Sequence, residues 1–162
     1  MNPDIAMQVC HLADAAATQA LGRRLAARLL TPPLLPGCQL LLLRGELGAG
    51  KTCLVQGLAE GLGIAEPITS PTFALAHHYR GQRGPMSTAL VHLDLYRLEQ
   101  SAAADELFAQ EEEEARALGA VLAVEWPQRL SFVPEPCWTL ELELAGDGRL
   151  ARLWGEGISA AP

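Results

Sequence analysis

CQLLLLRGELGAGKT (Cys38–Thr52) decides the fold. Its first seven residues, Cys38 to Arg44, are too few for a typical helix and too uniformly apolar for a strand with one wet face. They read as a strand buried on both sides, the pattern of a parallel sheet. Three glycines follow within six positions, Gly45, Gly48 and Gly50, where they would weaken either a helix or a strand. KTCLVQGLAEGLG then has the apolar spacing of a helix that ends near Gly61 or Gly63. A buried strand, a glycine turn and a helix in succession form one half of a strand–helix–strand unit.

The turn, GELGAGKT, fills every fixed position of G-x-x-x-x-G-K-[ST]. Glycines let the backbone wrap so that successive N–H groups point inward at an anion. The helix that starts near Lys51 adds the positive end of its dipole at the same place. From there Lys51 reaches the β- and γ-phosphates of a nucleotide, and the Thr52 hydroxyl can ligate Mg²⁺. Ordinary residue frequencies would produce the pattern by chance roughly once in a few hundred chains of this size. Here it also sits between a strand and a helix, so the reading is a nucleotide site.

Outward from this unit, DAAATQALGRRLAARLL (Asp14–Leu30) reads as an amphipathic helix with Asp14 as N-cap and Leu21, Leu25 and Leu29 on one face. TPPLLPG breaks it. After the glycine-loop helix, EPITSPTFALAHHYR is a loop around Pro71 that runs into a strand, GQRGPM a turn, and TALVHLDLYRL the next strand. SAAADELFAQEEEEARALG is a helix capped by Ser101 and stopped at Gly119, and AVLAVEW is another doubly apolar strand. CWTLELELAGDGRLARLW closes as a hairpin about Gly-Asp-Gly. Alternating buried strands and helices define an α/β fold, a three-layer sandwich of the P-loop NTPase kind. Its sheet is mostly parallel, with an antiparallel C-terminal hairpin. One domain spanning 1–162 is expected.

Parallel sheets present ligands at the carboxyl ends of their strands. Asp94, late in VHLDLYRL, and Glu125, at the end of AVLAV, occupy such ends. Alone, each is an ordinary solvated strand end. Beside a phosphate loop, Mg²⁺ needs oxygen ligands. Asp94 then takes the position of a Walker B aspartate, while Glu125 could ligate the metal or orient the attacking water. TSPTF (Thr69–Phe73) is either a plain turn or a loop that senses a γ-phosphate. Glu111–Glu114 reads as a solvated helix face, with a partner contact as the other option, and Trp126-Pro127 as packing plus a strand stop.

The chain carries 12 Lys and Arg against 19 Asp and Glu, for a net charge of −7. That excludes a broad basic face gripping nucleic acid unaided. A 49% hydrophobic content, with mean hydropathy of +0.14, fits a folded soluble domain, and no segment approaches the length of a membrane span. The N-terminal MNPDIAMQVCHLADA lacks a basic head followed by an apolar core, so a cytoplasmic location is expected. Cys10, Cys38, Cys53 and Cys137 lack metal-ligand spacing and read as buried free thiols. His77 and His78, as strand neighbours, point to opposite faces and cannot chelate one ion together.

GELGAGKT, SPTF, HLDLYRL and VEWPQRL, in this order and at these separations, resemble the TsaE (YjeE) family, bacterial P-loop ATPases of tRNA threonylcarbamoyladenosine (t6A) biosynthesis. The resemblance runs from about Thr18 to Arg152. It implies that Gly45 and the stretch Gly48, Ala49, Gly50, Lys51, Thr52 and Cys53 wrap the phosphates of ATP, and that Thr52 and Glu125 hold Mg²⁺. By the same resemblance Asp94 is the acid needed for hydrolysis and Ser70 and Thr72 belong to a switch-like loop. Thr18 and Arg149 then approach the nucleotide from the two ends of the chain. The segment FAQEEEEARALGAV departs from the family, which usually shows a glycine and an Asp-Tyr step there. The implied partners are TsaD and TsaB, with tRNA met only through that complex, and the implied role is to reset it with ATP. A small-molecule or nucleotide kinase is the competing reading. A GTPase would need a guanine-selecting Asn-Lys-x-Asp stretch, which the chain lacks, and a regulatory subunit without turnover would not depend on Asp94.

Overall fold

The computed structural model describes residues 7–31, 39–71 and 74–156. The chain runs β1 (Gln8–Leu12), α1 (Ala15–Leu29), β2 (Gln39–Arg44), α2 (Lys51–Gly61), β3 (Ala76–Arg83), β4 (Met86–Asp94), α3 (Ser101–Leu118), β5 (Val121–Glu125), a short 3₁₀ turn (Pro127–Arg129), β6 (Cys137–Ala145) and β7 (Gly148–Glu156). Seven strands form one sheet in the order β1-β7-β6-β2-β5-β4-β3. Its centre, β6-β2-β5-β4, is parallel, and β3, β7 and β1 extend it antiparallel at the two edges.

The run of leucines in β2 divides between two cores. Leu41 and Leu43 join α1 and α2 on one face, whereas Leu40 and Leu42 join α3 on the other. This is the period-two alternation of a strand, with both faces apolar because both are covered by helices. Full burial of each such leucine contributes about 2–3 kcal/mol relative to exposure.

Asp14 caps α1 as its sequence position implies, its carboxylate accepting the Ala17 N–H at 2.8 Å. Gly119 ends α3 in the left-handed region, at φ 61°. At the start of α3 the expectation fails: Gln100 is the cap residue and Ser101 the first helical position. GQRGPM is also mostly strand, since β3 and β4 stay paired as far as Arg83 and Met86. Gly81 is there for close approach, because a Cβ on it would lie 2.8 Å from the Gly63 backbone. Edge strand β1 is unanticipated, being five residues with mostly exposed side chains. The segment TPPLLPG and Cys38 lie outside the described residues.

Helices α1 and α2 meet backbone to backbone. A Cβ on Gly57 would sit 2.0 Å from the Gln19 carbonyl oxygen, and one on Gly22 would sit 2.3 Å from that of Leu54. Because neither atom is a flexible side-chain end, Gly57→Ala must push the helices apart. It is expected to lower the free energy of unfolding by about 3 kcal/mol, the upper end for overpacking, read from urea denaturation.

Candidate functional site

Gly50 precedes α2 with φ 105°, and Gly48 has φ 81°, conformations that side chains rarely adopt. They turn the chain from the end of β2 directly into the helix. The N–H groups of the first helical turn have no intrahelical acceptors and face the loop's concavity. A cavity of ≈ 240 Å³ opens there, lined by Gly50, Lys51, Thr52, Ser70, Asp94 and Glu125, with Gly48, Cys53 and Trp126 at its margin.

Lys51 is only 6% exposed. Its ammonium donates to the Gly45 carbonyl and, at 3.0 Å, to that of Glu46, and it lies 4.7 Å from the Trp126 ring centroid. Burial pulls the lysine pKa below its ordinary value, while the charges of Glu125, Asp94 and Glu46 act in the other direction.

The two acids come from the ends of adjacent parallel strands, and Asp94 and Glu125 are register partners. Asp94 accepts the Tyr96 N–H at 2.9 Å. Burial raises its pKa, the Tyr96 bond acts against that, and the nearby Glu125 reinforces it. Glu125 is buried, with Oε2 2.7 Å from Nε2 of a fully buried His92. Among the described residues no three His, Cys, Asp or Glu side chains converge as a metal cage. The donors present, a threonine hydroxyl and a buried carboxylate, are hard oxygens. They suit Mg²⁺, which takes one or two protein oxygens and completes its shell with phosphate and water.

A second cavity, ≈ 170 Å³, meets the first at Gly50 and Cys53 and adds Thr18 and Arg149. Thr18 is buried, and its hydroxyl donates to the Asp14 carbonyl at 3.3 Å. Arg149 donates to the carbonyls of Ala49 (3.0 Å), Gly48 (3.1 Å) and Gly148 (2.9 Å), so β7 braces the glycine loop from outside. Burial raises the Cys53 thiol pKa, and Arg149 opposes that shift. The structure thus brings together every predicted site residue except Gly45 and Ala49, which line a larger cleft on the opposite flank of the loop, and Thr72, which lies outside the described residues. That cleft, ≈ 770 Å³, is lined by Glu46, Glu141 and Glu143 together with Arg44.

Three features escape a reading of the sequence. His92 lies two residues before Asp94 and so on the same face of β4; the His-x-Asp spacing is the signal. Trp126 is more than a strand stop. It holds φ 59°, which turns its ring toward Lys51, and Tyr96 packs on it at 4.8 Å. Glu111 is not on a solvated face: it is buried, 2.6 Å from His78 across to β3, whereas Glu113 and Glu114 are exposed. His77 pairs instead with the Tyr79 hydroxyl at 3.1 Å, so the two histidines do go separate ways. Cys10 and Cys53 are free and half-buried, and Cys137 free and buried. Among the described residues no helix is long and apolar enough to cross a membrane.

Residues 12–152 match the family described as threonylcarbamoyl adenosine biosynthesis protein TsaE. The chain is 39% identical over 142 residues to the tRNA threonylcarbamoyladenosine biosynthesis protein TsaE of Nostoc sp. PCC 7120, covering 88% of this chain and 82% of that one. It is 44% identical over 125 residues to the TsaE of Synechocystis sp. PCC 6803, covering 76% and 72%. Among solved structures, the crystal structure of YdiB from Bacillus subtilus superposes with a TM-score of 0.66 at 25% identity, covering 93% of this chain and 86% of that one.

Proposed function

The chain belongs to the TsaE family, and from that premise we propose that it is an ATP-binding and hydrolysing subunit of the bacterial t6A machinery. Its work would be to reset the TsaB–TsaD complex that forms threonylcarbamoyladenosine at position 37 of tRNA, in the cytoplasm. The observation that carries the reading is the meeting of Lys51, Thr52, Asp94 and Glu125 in one cavity at the carboxyl end of the parallel strands.

In this reading the amides of the glycine loop and Lys51 bind the phosphates, and Thr18 and Arg149 border the nucleoside end. Thr52 and Glu125 hold the magnesium ion. When bound, that ion neutralises the phosphate oxygens and supplies Lewis acidity. Asp94 orients and deprotonates the water that attacks the γ-phosphorus, the raised pKa favouring proton uptake. Ser70 contributes a hydroxyl on the side where a γ-phosphate would be sensed.

A kinase would need cations closing over the phosphates. Arg83 pairs with Met86 at the hairpin, eight residues along β4 from Asp94 and thus roughly 27 Å away. Its guanidinium is tied to the Gly61 carbonyl at 3.2 Å. The acidic composition also agrees with a protein that meets tRNA through partners.

The test is ATP turnover with and without TsaB–TsaD, together with recovery of both proteins on the immobilised chain in the presence of ATP. Turnover should be weak alone and rise at least tenfold, an increment of about 1.4 kcal/mol in barrier, in the complex. Equal turnover in both cases, or phosphate transfer to a small acceptor, would reject the reading. Glu125→Ala is expected to weaken nucleotide binding in Mg²⁺ by about tenfold or more while sparing binding in EDTA, as measured by calorimetry.

A further inference from the structure

We propose that His92 is a positioning residue that fixes the Glu125 carboxylate, so that one oxygen is held from below and the other is left for the cavity. The inference rests on the reading of Glu125 as the magnesium ligand. His92 is 0% exposed, beside its register partner His77 on β3 and on the face of the sheet where Leu90 and Ala123 join the core. Its Nε2 lies 2.7 Å from Glu125 Oε2, and its Nδ1 is buried with no hydrogen-bond partner among the described residues.

Burying a polar ring with one nitrogen unpartnered costs free energy that a leucine at the same place would not. Packing alone therefore does not account for a histidine here, and its one polar contact does. An ionised carboxylate can only accept, so in this bond Nε2 carries a proton and donates it to Glu125. Of the two ring nitrogens, the one with a partner among the described residues is the one turned to Glu125.

The backbone makes the pairing rigid. His92 and Ala123 are register partners on β4 and β5, as are Asp94 and Glu125 two residues further on. The histidine thus stands one step behind Glu125, on the side away from the strand ends, with Asp94 beside it toward the cavity. A glutamate has three rotatable side-chain bonds, and this N–H removes most of that freedom before any metal arrives. Outer-shell partners of metal ligands typically alter metal affinity by 10–100-fold when removed.

The experiment is calorimetric titration of a non-hydrolysable ATP analogue, in EDTA and across a Mg²⁺ series, for wild type, His92→Leu, His92→Gln and Glu125→Ala. His92→Leu is expected to raise the Mg²⁺ concentration for half-maximal enhancement by about 10–100-fold while binding in EDTA stays within about twofold. His92→Gln, whose amide N–H can reach the same oxygen, should recover most of the loss. An unchanged Mg²⁺ dependence in His92→Leu, or equal weakening with and without Mg²⁺, overturns the proposal. If Glu125→Ala also keeps the wild-type Mg²⁺ dependence, the reading of Glu125 falls with it; if only the histidine variants are silent, that reading stands and this inference alone is lost. Independently of any variant, ¹⁵N-edited NMR of the wild-type protein should show a proton on Nε2 of His92, and a ring protonated at Nδ1 alone would overturn the proposal.

Discussion

Lys51→Ala is expected to lower affinity for ATP by about 100-fold or more, since a charge-assisted contact to phosphate contributes about 1.5–3 kcal/mol and the ammonium can make more than one. The free protein already holds the ammonium at the loop, on the carbonyls of Gly45 and Glu46 and against the Trp126 ring. On the proposed reading, ATP would exchange these neutral acceptors for charged oxygens. Burial disfavours the cation, as the lowered pKa indicates, so its removal need not destabilise the unliganded fold. Calorimetry and a thermal melt on the same sample separate lost binding from lost structure. Arginine should not restore affinity, because its planar fork cannot occupy the space of a compact ammonium. A Lys51→Ala protein that bound ATP nearly as well as wild type would place the phosphates elsewhere.

Asp94→Asn should slow hydrolysis by about 10²–10⁴-fold, the range for loss of a positioned general base, with ATP affinity little changed. The same substitution should raise the melting temperature of the unliganded protein at neutral pH. Burial raises the folded-state pKa of Asp94 above its value of 3.8 in the unfolded chain. Between those two values the native state binds more protons than the unfolded one. Stability therefore falls as pH rises through that window, and the ionised carboxylate burdens the fold above it. Asparagine removes the charge and can still accept the Tyr96 N–H. The difference in melting temperature should shrink as the pH is lowered toward 3.8 and vanish below it. Normal hydrolysis by Asp94→Asn would remove Asp94 from the chemistry.

What could be read from the residues is what neighbours in sequence decide. The strand–loop–helix at Gln39–Gly61 is set by local periodicity and three glycines. Asp94 and Glu125 were legible because each ends an apolar strand run, and a parallel sheet gathers such ends. The His92–Glu125 contact spans 33 positions, and a lone histidine in an apolar strand reads as core. The positive φ of Trp126 leaves no mark in a sequence without glycine at that turn. The burial of Glu111 depends on where the β3 edge passes α3, which helical periodicity cannot report. Strand β1 is short, mostly exposed and paired in the sheet with β7, 137 or more positions away, so nothing local announces it.

The glycine seam between α1 and α2 makes those two helices a single calliper arm. Thr18 rides on one and Lys51 on the other, and with backbone against backbone at Gly22 and Gly57, their spacing is a gauge that does not stretch. On the proposed reading, a nucleoside seated at one end would find its phosphates measured off at the other. The cavity's other walls include Asp94, at the end of β4, and Trp126, just past the end of β5.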